Sequence, residues 1–323
     1  MRTLVLGGTR FIGRAIVDEL LANGHELLIV HRGTTEPAGL PELAHLHSDR
    51  SDLERHRARV AAFRPDAFVD CRALSRADAA TAIAALPKEI RLLVLSSVDV
   101  YRAFAALDAG LETDPLPLDE SSPVRAERFP YRGKIPGYDD YEKLDVEDEY
   151  LSREATVIRL PMVYGEHDYQ TREEFVLRRL RAGRARIPVG PSTWLESRGY
   201  VGEMARGVRL ALESERAAGE VLNLCEARAW SVGWWIRQIL GAAGSDAELA
   251  RVPDELLPED MELTKNWAQH FVIDPAKARE LLGWIHANPS PCIERSVRWH
   301  LANPPDEPHP DFSADDRALE PAR

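Results

Sequence analysis

The chain has 323 residues and is 44% apolar, enough to bury a large core, so a wholly disordered protein is excluded. Its formal net charge of −12 argues against nucleic-acid binding, which works through a basic footprint, but leaves room for a phosphate-bearing small ligand needing a few local donors. Cys71, Cys225 and Cys292 stand far apart with no CxxC pair, and no apolar stretch approaches the roughly 20 residues of a membrane span. A soluble, cytoplasmic protein without disulfides, zinc cluster or membrane partner is therefore expected.

Short apolar runs alternate with helix-like segments through the first half. "RTLVLGG" (2–8), "ELLIVHRG" (26–33), "DAFVDC" (66–71) and "IRLLVLSSVDVY" (90–101) read as strands apolar on both faces, as in a parallel sheet. Helical spacing is carried by 14–24, 52–63 and 76–86 between them, then by "YEKLDVEDEYLSRE" (141–154), before the strand "ATVIRLPMVYG" (155–165). This order predicts an α/β fold: a Rossmann-type doubly wound parallel sheet over 1–165. After Gly165 the pattern loosens into helices at 172–183, 202–214 and 231–244 and a strand at 220–224, which predict a smaller substrate lobe over 166–302. The tail 303–323 is rich in Pro and Asp and reads as disordered.

The stretch "LVLGGTRFIG" (4–13) follows a strand and opens a helix, the context in which glycines let the backbone approach a pyrophosphate at a helix N-terminus. NAD-specific sites place an acid at the end of the second strand, whereas here His31 and Arg32 stand there. A carboxylate would repel a 2′-phosphate and a guanidinium would hold it, so NADP is favoured, with NAD the alternative.

"GGTRFIG" resembles the cofactor loop of the short-chain dehydrogenase/reductase superfamily, in its extended branch of NAD(P)-dependent epimerases and dehydratases. The resemblance implies cofactor contacts from Gly7, Thr9, Arg10, Phe11, Ile12 and Gly13, with Arg10 facing the adenosine ribose or its 2′-phosphate. It also implies that Asp49 meets the adenine, although by itself Asp49 could be a helix cap, for which Asp52 is the stronger candidate. Pro161, in "VIRLPMVYG", would line the nicotinamide.

"VLSSVDVY" resembles the family strand whose hydroxyl residue binds the substrate oxygen, which implies that role for Ser97. Asp99 falls where dehydratases carry an acid used in water elimination. The family's Y-x-x-x-K pair is absent from "GYDDYEKLDVEDEYL". If Lys143 keeps the lysine position, holding the nicotinamide ribose, Asp139 occupies the tyrosine position; if Tyr141 keeps its own, Asp145 replaces the lysine. The first register is favoured because Lys143, Val146 and Glu147 match the family's continuation; residues two apart on a helix point about 200° apart, so Tyr138 or Tyr141 would reach the site through an irregular helix start. An acid beside the tyrosine would raise its pKa, which favours proton donation over action as a base.

The resemblance implies an oxidoreductase or isomerase transferring hydride to or from a polar small molecule such as a nucleotide sugar, working as a homodimer. The broken Tyr–Lys spacing leaves a cofactor-binding sensor or scaffold without turnover as the alternative, and the resemblance of "GGTRFIG" to chloroplast stem-loop RNA-binding relatives of the family implies RNA binding as a lesser one. Arg159, Arg198 and the basic run 177–188 could meet a substrate phosphate or form a solvated helix face. His45 and His47 occupy alternate strand-like positions with no further ligand cluster nearby, so no metal is expected.

Overall fold

The computed structural model describes residues 1–35, 43–306 and 310–320. In its first half run β1 (Arg2–Leu6), α1 (Phe11–Ala22), β2 (Glu26–His31), β3 (Ala44–His47), α2 (Arg57–Phe63), β4 (Ala67–Asp70), α3 (Arg76–Ala84), β5 (Arg91–Ser97) and α4 (Arg102–Leu107). Next come α5 (Lys143–Leu151), β6 (Thr156–Leu160), β7 (Met162–Tyr164), α6 (Glu174–Arg181), β8 (Arg186–Val189), β9 (Leu195–Glu196), β10 (Arg198–Tyr200) and α7 (Val201–Glu213). β11 (Val221–Asn223), β12 (Trp230–Ser231), α8 (Val232–Ala242), β13 (Glu248–Arg251), α9 (Ala276–Leu282), α10 (Pro289–Ala302) and α11 (Ser313–Leu319) complete the order.

Seven strands form one parallel sheet in the order β11-β6-β5-β4-β1-β2-β3. Successive residues of a strand face opposite sides, and both sides are covered. Val5, Ile29, Val69 and Leu93 pack with Ile16 and Val17 of α1 and Met204 and Val208 of α7. Leu4, Leu28, Phe68 and Leu92 pack with Val60 of α2, Ala79 of α3 and Val146 and Tyr150 of α5. This double burial is why the strands read as continuous apolar runs. The strand order reverses between β1 and β4, where open α/β sheets bind ligands beyond the strand carboxyl ends.

Several boundaries differ from the sequence reading. The helix expected over 52–63 begins as a 3₁₀ segment, Arg50–His56, and its cap is Asp49, which accepts from the Ser51 N–H, rather than Asp52. The strand expected over 155–165 divides at Pro161 into β6 in the main sheet and β7, which pairs with β10. The tail read as disordered carries α11, anchored where the buried Arg179 of α6 makes two 2.7 Å bonds to the buried carboxylate of Asp315. Composition could not reveal that anchor, because the partner lies 136 residues away.

Candidate active site

The loop after β1 is shaped for close backbone approach. Gly7 has φ +94°, which side chains rarely adopt, and a Cβ on Gly13 would lie 2.2 Å from the Gly7 carbonyl oxygen. Arg10 is the N-cap of α1 but gives it no side-chain cap, and no acid occupies the first turn, so the helix's amino end presents its N–H groups and positive dipole end to an anion. Phe11, at φ +35°, carries local strain there and packs its buried ring edge-on to Tyr169, 6.3 Å between centroids. Thr9 is buried with its hydroxyl 3.1 Å from that of Thr35; Ile12 is half-buried. Arg10 and Arg32 are exposed, and the Arg10 guanidinium lies 5.8 Å from the Tyr169 ring centre. These features fit a dinucleotide cradle.

Asp49 is exposed, and its carboxyl is held below the usual range first by the Ser51 N–H and hydroxyl, with Arg32 a lesser cause. Pro161 is buried between β6 and β7.

A second cluster forms beyond β5. Tyr141 donates to Asp99 Oδ2 at 2.7 Å and Tyr131 donates to the same oxygen at 2.9 Å. The Asp99 N–H binds the Ser97 hydroxyl at 3.2 Å, which fixes the turn carrying both residues. The Lys143 Nζ lies 5.8 Å from the Tyr141 ring centre and donates to the carbonyls of Ala73 (2.7 Å) and Leu95 (2.9 Å). Those two bonds leave one of its three N–H groups for a ligand.

Tyr141 and Lys143 meet because the helix starts later than expected. Lys143 is the first residue of α5, and Glu142 caps it in an extended conformation, φ −153° and ψ 91°. In an extended segment residues two apart face the same side. The buried Glu142 carboxylate holds this start by accepting from Leu144 N–H, Phe129 N–H, Arg125 and Arg128. The irregular helix start thus brings Tyr141 to Lys143, whereas Asp139 does not lie one helical turn before Lys143, and Asp145 pairs with Arg76 and Arg128. Asp139 is exposed and accepts from the Gly133 N–H at 2.9 Å. Tyr138 is half-buried, its ring 5.6 Å from that of Tyr141 and 6.3 Å from that of Tyr131.

The electrostatics follow from burial. Desolvation, then the Asp99 charge, push Tyr141 well above the usual phenol value, with Ser97 acting weakly against them. Burial likewise raises Asp99 and pulls Lys143 down to about 8.

Sequence reasoning missed Tyr131, which sits in a loop without periodicity, and the link from Asp99 to both phenols. The cations weighed as substrate-phosphate contacts or a solvated helix face form ion pairs within the protein. Arg159 is buried against Glu147 at 2.7 and 3.0 Å, and Arg198 pairs with Glu196 at 3.0 Å. In the basic run, Arg178 and Arg179 bind Asp260, and Arg184 binds Asp316. The absence of a ligand cluster around His45 and His47 is also corrected: His31 joins them, and one ring nitrogen from each lies within 4.8 Å of the others.

The strand order, the glycine turn and the hydroxyl–lysine cluster across the sheet's switch point define a nucleotide-binding Rossmann protein. The chain belongs to the NAD dependent epimerase/dehydratase family, whose model matches residues 3–225. It is 27% identical over 308 residues to the chloroplast stem-loop binding protein of 41 kDa b of Arabidopsis thaliana, covering 88% of this chain and 74% of that protein. Over 99 residues it is 35% identical to 2′-dehydrokanamycin reductase of Streptomyces kanamyceticus, 30% of this chain and 28% of the reductase. The UDP-glucose 4-epimerase of Thermotoga maritima shares the fold with a TM-score of 0.70 at 21% identity, covering 94% of this chain and 99% of the epimerase. Among the described residues, no helix is long and apolar enough to cross a membrane.

Proposed function

We propose that this chain is an NADP(H)-dependent oxidoreductase that reduces a carbonyl group on a polar small molecule, a sugar or nucleotide sugar being the first class to test. The observation that carries the reading is the Tyr141 hydroxyl, held by Asp99 beside Ser97 and Lys143. A bound nicotinamide cofactor supplies the hydride. Ser97 and Tyr141 orient the carbonyl oxygen, and Tyr141 gives it the proton that completes the alcohol. A phenol pushed this far up rarely ionises, so it serves as an acid in reduction better than as a base in oxidation. Asp99 relays to the Tyr141 oxygen a replacement proton that enters from solvent through the half-buried Tyr131, whose hydroxyl donates to the same carboxylate. Arg10 and Arg32, with no acid at the end of β2, support NADP over NAD.

The 27% relative named for stem-loop binding favours a second reading, RNA binding without turnover, which the net charge of −12 opposes. The test is cofactor oxidation over a panel of keto-sugars and nucleotide sugars, with NADPH and NADH in parallel. The expected result is faster turnover with NADPH and a kcat lowered by about 10²–10⁴ in Tyr141→Phe with NADPH affinity retained. NADPH binding without oxidation of any carbonyl, or a Tyr141→Phe enzyme as fast as the wild type, would overturn the proposal.

A further inference from the structure

We infer that His31, His45 and His47 form a binding site for one divalent transition-metal ion of the zinc class at the carboxyl ends of β2 and β3. The parallel register sets His31 opposite His47, and His45, two residues earlier on β3, projects to the same side. The rings stand 4.9 Å (His31–His47), 5.0 Å (His31–His45) and 6.1 Å (His45–His47) apart between centroids. His31 Nε2 and His45 Nδ1 are 2.7 Å apart, joined by one hydrogen bond. Gly33, at φ +75°, lets the chain turn tightly against this cluster: a Cβ there would lie 3.3 Å from the His47 ring.

Three imidazoles without a carboxylate are a donor set for Zn²⁺, Co²⁺, Ni²⁺ or Cu²⁺ rather than for the oxygen-seeking Mg²⁺ or Ca²⁺. Zinc–nitrogen bonds of about 2.0–2.1 Å in a tetrahedron place the nitrogens about 3.3 Å apart. The 2.7 Å pair must open slightly and the third nitrogen move in, which are side-chain rotations at a site grading from buried His31 to exposed His47. The cost includes two hydrogen bonds: the one between His31 Nε2 and His45 Nδ1, and that from the Gly33 N–H to His31 Nδ1 at 3.2 Å, since that nitrogen must carry the ring proton once Nε2 ligates. Three protein ligands leave a fourth position, towards the solvent side where His47 is exposed, for water or an anion. The neighbouring charges do not forbid a dication, since Arg32 next to His31 is offset by the Asp49 carboxylate, which its charge reaches. The site lies apart from the Ser97–Tyr141 cluster but beside Arg32, so metal binding is measured on the cofactor-free chain, where its outcome is separate from that of the proposed reduction.

The test uses the full chain without an affinity tag, stripped of metal and titrated with Co²⁺ by visible absorption, then with Zn²⁺ in competition. The expected result is one ion per chain with a tetrahedral Co²⁺ spectrum, displaced by Zn²⁺ and not by Mg²⁺. His45→Gln and His47→Gln should each weaken binding by at least about tenfold with unchanged circular dichroism. Zn²⁺ binding weaker than about 0.1 mM would overturn the site, as would tight binding that neither variant alters.

Discussion

Replacing Asp315 by Asn tests whether α11 is part of the folded molecule. Arg179 is fully buried and bonds Asp315 through Nε and Nη2, both at 2.7 Å, while its other contacts run to Asp260 at 2.7 and 2.9 Å and to the Phe175 carbonyl. Phe312 adds to the docking, its ring 4.8 Å from the Arg178 guanidinium and 5.4 Å from that of Arg184. An Asn side chain keeps the shape but can accept only one of the two bonds, and it carries no charge. Removing one partner of a buried pair costs about 3–5 kcal/mol, and the Asp260 bonds that remain place this case near the lower figure. At about 2.1 cal/mol/K per residue, a chain of 323 residues has an unfolding entropy of roughly 0.7 kcal/mol/K, so Tm should fall by about 4–5 °C. Differential scanning calorimetry of the two full chains reads this directly. A Tm within about 1 °C of wild type would refute the reasoning and mean that the tail does not dock.

Two further outcomes follow from geometry and charge. Helix propensity alone would make Gly13→Ala stabilising by about 1 kcal/mol, but the new Cβ would meet the Gly7 carbonyl oxygen at 2.2 Å. NADPH affinity should therefore drop at least about tenfold in a fluorescence titration, and an unchanged affinity would show that the loop is not the cradle. Burial raises the Glu226 carboxyl to about 7, so the stability it contributes is complete below the ordinary carboxylate value and is lost as pH rises towards 7. Glu226→Gln removes that loss and can still accept from the Tyr164 hydroxyl, which bonds Glu226 at 3.0 Å. Its Tm relative to wild type should rise by roughly 4 °C between pH 5 and pH 8, corresponding to about 3 kcal/mol. A pH-independent difference would contradict the raised value.

The parts legible in the sequence share one property: their cause is local or periodic. Val5, Ile29 and Leu93 belong to strands covered on both faces, so their apolar runs announced a parallel sheet. The glycines at 7 and 13 announced the tight turn after β1 because their cause is local: Gly7 takes φ +94°, and a Cβ on Gly13 would meet the Gly7 carbonyl oxygen. What stayed hidden depends on contacts between distant segments. The start of α5 is set by Glu142 meeting Arg125 and Phe129, so helical periodicity extended the element two residues too far and set Tyr141 and Lys143 on opposite faces. Tyr131 reaches Asp99 across 32 residues from a loop with no pattern. His31 meets His45 and His47 only through the strand pairing of β2 with β3. Arg159, weighed as a contact for a substrate phosphate, is paired with Glu147 inside the protein.

The measurement that tests the central claim most directly is a crystal structure of the chain with NADP. The account predicts the pyrophosphate on the Gly7–Gly13 turn, the 2′-phosphate between Arg10 and Arg32, and the nicotinamide ribose on the Lys143 ammonium. It also predicts the Tyr141 hydroxyl on Asp99, beside Ser97 and facing the nicotinamide C4. A nicotinamide lying out of reach of Tyr141, or a 2′-phosphate touching neither arginine, would contradict it.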